Sequence, residues 1–382
     1  MARICMLDPL FYPYQGGTEK HVLEVGKRLV KDYRHDITVL TSRLPGTLAH
    51  SELDGIKIIR TPSLYLDRLP SFLPPPYTIA PFHAFDLMKQ DAQIIHIHNR
   101  YWYHAATLGA IKLRKKKLVL TLHNARPDGI SFAADKLGAI YDLFWGQRIM
   151  EMSDRIIAVS EWTKRTTVPK FLQDKCTVIY NGIDVKHFSS KVDGSVVRKK
   201  LGIGKSPLLL SNGRLVPQKG FSYLIDAFAK LKKDLPLAKL VIIGKGPLRP
   251  ALDSRIEQLG ISRSVKFVTG IPETEMPLYY AAADLFILPT LWEPCAVALL
   301  EAMASGKPIV TTNAGGNPEL VTKACGVLTA PRDSQALYGA AVKLLFDKSR
   351  LERMGKASRK RAVDNFTWDN TARKTDAVYK SI

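Results

Sequence analysis

Short runs of aliphatic and β-branched residues recur along the whole chain, each followed by a stretch of helical periodicity, and this alternation constrains the fold more than any other feature. The first half contains RICMLD, DITVLT, IKIIR, AQIIHIH, KLVLTLH, RIIAVS and CTVIYNG; the second contains PLLLSNGR, KLVIIGKG, SVKFVTG, DLFILPT, PIVTTN and GVLTA. The runs are continuously apolar, as strands covered by helices on both faces require. Repeated βα units build parallel sheets, and 382 residues exceed what one hydrophobic core organises. Two parallel-sheet domains in series are therefore expected. The break falls in the polar stretch from Asn181 to Leu201, because a new first strand opens only at Pro207. Prolines in LPSFLPPPYTIAP, residues 69–81, predict a loop there, since proline breaks helices and removes a ladder donor.

Cys5, Cys176, Cys295 and Cys325 lie far apart without CxxC spacing, so neither a zinc site nor a disulfide framework is expected, and reduced thiols suit a cytoplasmic chain. No apolar run reaches the roughly 18 residues of a spanning helix, and the N-terminus enters a strand at once, unlike a signal peptide. The formal net charge of +21 calls for an anionic partner: nucleic acid, an acidic membrane surface or a phosphorylated substrate. RNP aromatics, a helix-turn-helix signature and zinc spacing are all missing, so nucleic acid is not expected. The basic run Arg114–Lys117 and the group Lys356, Arg359, Lys360 and Arg361 read either as solvated element ends or as a patch for anionic headgroups at the inner face of a membrane.

Three places carry candidate chemistry. Gly16 and Gly17 stand at the entrance of a helix for which Thr18 is the expected N-cap; backbone free of side chains there lets an anion approach the positive end of the helix dipole, although a glycine pair is equally an ordinary turn. In the second half Arg214 and Lys219 flank the turn between a strand and a helix beginning near Phe221. Two cations so placed can grip a diphosphate. Glu293 follows a buried strand, and Glu301 comes eight positions later inside the next helix; paired acids of this kind suit vicinal hydroxyls of a sugar and a ribose better than they suit a phosphate.

GGTEKH near the N-terminus, NGID at 181–184, GRLVPQKG at 213–220, GKGP at 244–247, the two glutamates at 293 and 301, and FTWDNTARKTDAVY at the end occur in an order that resembles glycosyltransferase family 4. The opening segment is also similar to that of phosphatidylinositol glycosyltransferases. The resemblance implies the GT-B fold: an N-terminal Rossmann-like acceptor-side domain over 1–183, a nucleotide-sugar-binding domain over 184–365 facing it across a cleft, and a helix over about 366–382 returning to the first domain. It implies retaining transfer of a hexose or N-acetylhexosamine from a nucleotide-diphosphate sugar to a hydroxyl acceptor, without a metal or other cofactor.

By position, Gly16 and Gly17 would lie against the donor, Arg214 and Lys219 against its diphosphate, Glu293 on sugar hydroxyls and Glu301 on the ribose. His123, ending VLTLH, matches the family histidine beside the reacting sugar, and Asn124, Arg126, Tyr101 and Trp102 fall on the acceptor side. Gly315 and Gly316 look like a tight turn near the donor. Where many members carry Phe-Gly, this chain has Cys295-Ala296 before Val297, so donor amides there would come from residues less tolerant of positive φ. The chain contains no D-x-D pair to hold a metal. A GT-B protein that binds sugar nucleotides without transferring them is the alternative reading.

Overall fold

The computed structural model describes residues 1–14, 16–66, 77–80, 82–100, 109, 111, 115–124 and 145–382. Tyr101, Trp102, Arg114 and Arg126 lie outside the described residues, as does most of the proline-rich segment. The chain divides into one unit of Met1–Asn181 with Trp368–Ile382 and another of Gly182–Thr367.

The first unit is built on β1 (Arg3–Leu7), β2 (Asp36–Ser42), β3 (His50–Leu53), β4 (Ile56–Thr61), β5 (Leu64–Leu66), β6 (Tyr77–Ile79), β7 (Ile94–His98), β8 (Lys117–Leu122), β9 (Arg155–Ala158) and β10 (Cys176–Val178). Eight of these form a sheet in the order β10-β9-β8-β7-β1-β2-β4-β3, parallel except for β3. The edge hairpin β3–β4 turns on Asp54 and Gly55, both at positive φ, the two-residue turn that matches strand twist. Contrary to the loop expected across 69–81, Tyr77–Ile79 pairs antiparallel with Leu64–Leu66: strand pairing outweighs local proline content once a partner strand is available.

Helix Gly17–Lys31 is capped by Gly16 and not by Thr18, which sits inside the first turn. Its buried face, Val22, Val25 and Leu29, packs with Ile4, Met6, Ile37 and Val39 of the sheet. Trp368, Ala372, Val378 and Tyr379 of the C-terminal helix Trp368–Lys380 join the same core. Polar contacts reinforce that docking: Arg28 Nε donates to Asp369 at 2.5 Å, and His35 Nε2 meets Asp376 Oδ1 at 2.8 Å.

The second unit carries β11 (Leu208–Asn212), β12 (Lys239–Ile243), β13 (Val265–Val268), β14 (Leu285–Leu288), β15 (Ile309–Thr312) and β16 (Gly326–Thr329). Their order is β13-β12-β11-β14-β15-β16, every pair parallel. Strand order reverses between β11 and β14, and in the first sheet between β1 and β7. Loops leaving the carboxyl ends of such strands diverge and open a crevice, the usual place for a ligand in an open α/β sheet.

Candidate active site

At the switch point of the second sheet the chain leaves β11 through Gly213 and Arg214 into the short turn Pro217–Lys219. Gly220, with φ of 66°, then starts helix Phe221–Asp234; a Cβ there would collide with the carbonyl of Pro289, just beyond β14. Two bonds fasten the loops together: Leu291 N–H donates to Gln218 O at 2.8 Å, and Gln218 Nε2 donates to Trp292 O at 2.8 Å. Lys219 is thereby brought onto Glu293, and its Nζ donates to Glu293 Oε2 in an ion pair with each side chain 14% exposed. The two residues expected to hold different parts of a donor are thus bonded to each other. Arg214 is exposed.

Glu301 lies in helix Val297–Ala304 and is 9% exposed. Tyr280 OH donates to Glu301 Oε2 at 2.6 Å, and Asn212 Nδ2 reaches the Tyr280 oxygen at 3.0 Å and Glu301 Oε2 at 3.4 Å. Gly315, at φ 60°, abuts the Glu293 carbonyl so closely that a Cβ would clash, and Gly316 N–H donates to the same carbonyl at 2.8 Å. The glycine pair therefore buttresses the backbone of Glu293. Cys295 and Ala296 are buried. Ala296 has φ −73° and caps the helix that begins at Val297, so alanine meets none of the positive-φ strain that its place in the motif suggested.

In the first unit, His123 follows β8 and is anchored by Asn99, the residue just after β7. Asn99, in the left-handed region at φ 68°, accepts from the N–H groups of His123 (3.0 Å) and Asn124 (3.1 Å). His123 Nε2 meets His98 Nδ1 at 3.0 Å with the rings stacked, and His21 packs edge-on to His123 at 4.6 Å. His21 Nδ1 bonds Asn181 Oδ1 at 3.0 Å; an amide oxygen only accepts, so that nitrogen carries the proton. His96 is held between Tyr379 OH (2.6 Å) and Thr121 Oγ1 (2.7 Å). Burial, and then repulsion from His21 and His96, holds the His123 imidazole well below its ordinary pKa, so His123 is neutral near pH 7.

Gly16 meets a carboxylate from the helix it caps, whereas Gly17 faces open space. The side chain of Glu19 folds back so far that a Cβ on Gly16 would strike its Oε2. Burial pushes Glu19 up to about 7, and burial with the nearby Glu19 charge raises Asp8, whose Oδ2 has no hydrogen-bond partner among the described residues. Sequence reasoning gave no role to Asp8, His96, His98, Asn99, Asn212 or Tyr280, and noted Glu19 and His21 only as positions of the GGTEKH motif. The available signals were weak: a Gly-x-x-Glu spacing at a helix start, histidines alternating along IIHIH, and an asparagine at a strand end.

Residues 15–187 match the family described as Glycosyltransferase Family 4, and residues 195–361 match Glycosyl transferases group 1. A GDP-mannose-dependent alpha-(1-6)-phosphatidylinositol monomannoside mannosyltransferase of Mycolicibacterium smegmatis is 28% identical over 377 residues, covering 94% of this chain and 93% of the relative. Sucrose-phosphate synthase of Thermosynechococcus elongatus superposes with a TM-score of 0.82 at 21% identity, covering 100% of this chain and 99% of its own. HepE of Anabaena, solved with UDP and glucose, superposes with a TM-score of 0.80 at 23% identity over 100% of both chains. The last two share the fold.

The buried imidazoles make the first unit acid-sensitive. Desolvation lowers His21 to about 4 and, with repulsion from His21, lowers His96 to about 3, from 6.5 in the open chain. Between pH 6.5 and about 4 the unfolded chain binds more protons than the folded one, so stability rises with pH across that window and is lost as pH falls. Each of the two should remove on the order of 2 kcal/mol between pH 7 and pH 5. Urea unfolding at the two pH values should show that loss, and His96→Gln should shrink it; an equal loss in the variant would mean that His96 is not the group being charged.

Proposed function

Because the chain belongs to the family 4 glycosyltransferases, with both halves matched, we propose that it is a retaining, metal-independent enzyme that transfers mannose from GDP-mannose to a hydroxyl acceptor. The observation that carries this reading is the Lys219–Glu293 ion pair beside the buried Glu301 at the switch point of the second sheet. Departure of a nucleoside diphosphate develops negative charge on its outer phosphate, and Lys219 with the exposed Arg214 supplies cationic donors for it without a metal. Glu293 takes hydroxyls of the donor sugar and Glu301 those of the ribose. His123, neutral and held by Asn99 and His98, is the first unit's candidate for contact with a sugar hydroxyl. With no second carboxylate assigned to attack the anomeric carbon, the acceptor returns on the face the leaving group departs from, and its proton passes to the leaving phosphate. GDP-mannose is chosen because the mannosyltransferase relative named above depends on it.

The donor assignment is checked by thermal shift with GDP-mannose, UDP-glucose and UDP-N-acetylglucosamine, followed by turnover of the stabilising sugar in excess EDTA. GDP-mannose should stabilise most, and chelation should leave the rate unchanged. Stabilisation only by a UDP-sugar would replace the donor, and loss of turnover restored by Mg²⁺ or Mn²⁺ would remove the metal-independent mechanism.

Glu293→Gln keeps the shape and removes the charge. It should lower kcat/KM by about one to two decades, as loss of a charge-assisted hydrogen bond of roughly 1.5–3 kcal/mol implies. Free GDP, which lacks the sugar, should bind this variant no less tightly than wild type, since Lys219 is released from its partner. If GDP binding fell in step with transfer, Glu293 would not be the sugar ligand.

A lipid-borne acceptor is the reading favoured by one surface of the first unit. Phe82 and Phe85 are 57% and 60% exposed around helix His83–Met88, Met88 is 38% exposed, and Lys89 Nζ lies 4.1 Å over the Phe85 ring. Aromatic and aliphatic groups interleaved with a cation suit the interface of an anionic bilayer. Flotation with liposomes containing acidic lipid, at low and moderate salt, should recover the protein preferentially at low salt, and Phe82→Ser/Phe85→Ser should reduce recovery. Indifference to acidic lipid at low salt would end the membrane reading.

A further inference from the structure

We infer that Tyr280 and Asn212 are positioning residues that fix the Glu301 carboxylate for a ribose hydroxyl, which makes them determinants of ribonucleotide recognition. The inference rests on the reading of Glu301 as the ribose ligand and goes beyond it to the residues through which Glu301 acts. Three elements meet in one polar triangle: Asn212 at the carboxyl end of β11, Tyr280 on helix Met276–Ala282 and Glu301 on helix Val297–Ala304. All three distances, 2.6, 3.0 and 3.4 Å, converge on Glu301 Oε2 or on the phenol oxygen bound to it. The phenol donates to the carboxylate, so its oxygen can accept from the Asn212 amide, and the sequence of donors is fixed: amide to phenol to carboxylate.

The tyrosine itself cannot adjust. Its side chain is fully buried, with the ring edge-on to Phe188 at 5.7 Å and tilted on Phe286 at 5.4 Å. Burial and the Glu301 charge raise its pKa well above the ordinary value, so the phenol remains a donor across the working range. A carboxylate in this setting is held in one rotamer before any ligand arrives, and a ligand hydroxyl that finds it so held gains affinity because less freedom is lost on binding. A purely structural bond would stabilise the fold without distinguishing one nucleotide from another.

The discriminating measurement is calorimetric titration with GDP and with 2′,3′-dideoxy-GDP. Tyr280→Phe preserves the ring and deletes the donor, and Asn212→Ala removes the outer amide. Tyr280→Phe should bind GDP about tenfold more weakly, in line with the loss of one hydrogen bond to a charged group, while its affinity for the dideoxy analogue stays within about twofold of wild type. Asn212→Ala should show the same pattern with a smaller loss. Equal weakening of both ligands, or no weakening of either, would overturn the inference. Glu301→Gln separates it from the reading beneath: if that variant still prefers GDP over the dideoxy analogue as wild type does, Glu301 is not the ribose ligand; if it loses the preference while Tyr280→Phe keeps it, only the positioning role falls.

Discussion

A charge taken out of water must be met by a partner or given up, and the carboxyl ends of both sheets are organised around that requirement. In the second unit the charges are kept. Glu293 is paired with Lys219, and Glu301 is met by the Tyr280 phenol and the Asn212 amide. In the first unit the charges are given up: His21, His96 and His123 are neutral, and burial raises both Asp8 and Glu19 toward their protonated forms. One fold type, used twice, therefore presents an ion-paired edge in one unit and a largely uncharged, hydrogen-bonding edge in the other. The first arrangement suits a ligand that carries charge, the second a ligand made of hydroxyls.

Keeping four imidazoles dry demands a well-packed cover, and the end of the chain supplies it. Trp368 lies edge-on to His21 at 5.7 Å, and Tyr379 hydroxyl bonds His96 at 2.6 Å. The helix that carries these two residues is the last in sequence and docks on the first helix and strand through Arg28 with Asp369 and through shared apolar contacts. The orientation of His123 thus depends on residues some 250 positions later in the chain, transmitted through His96, tilted against His98, and through His98, stacked on His123. The side-chain oxygen of Asn99, accepting from the His123 N–H, adds a second, local constraint on the same histidine.

Strand runs were legible because a strand buried on both faces admits little except aliphatic residues, and every long apolar run named from the sequence holds a strand. The β3 edge was missed although Asp54-Gly55 is a strong hairpin signal, because HSEL alternates weakly and has no apolar run to announce it. Motif positions pointed to Lys219, Glu293 and Glu301, and their partners were out of reach. Lys219 and Glu293 lie 74 residues apart, and Tyr280 and Glu301 lie 21 apart on different helices. Spacing along the chain carries periodicity within one element; it does not say which side chains meet where β11 and β14 diverge.

The Lys219–Glu293 pair also sets the charge that a strongly basic chain shows at the switch point of its second sheet. With +21 formal charge overall, an isolated lysine at the switch point would attract phosphate and other small anions without regard to sugar. Pairing it with Glu293 cancels most of that local field and leaves the exposed Arg214 as the cation of this turn facing water. A free anion must then compete with Glu293 for Lys219, whereas in the proposed reading a sugar diphosphate would bring phosphate oxygens for the lysine together with hydroxyls for the displaced carboxylate. On the donor assignment proposed above, the complete donor would be favoured over either fragment, because only it offers a partner to both halves of the opened pair.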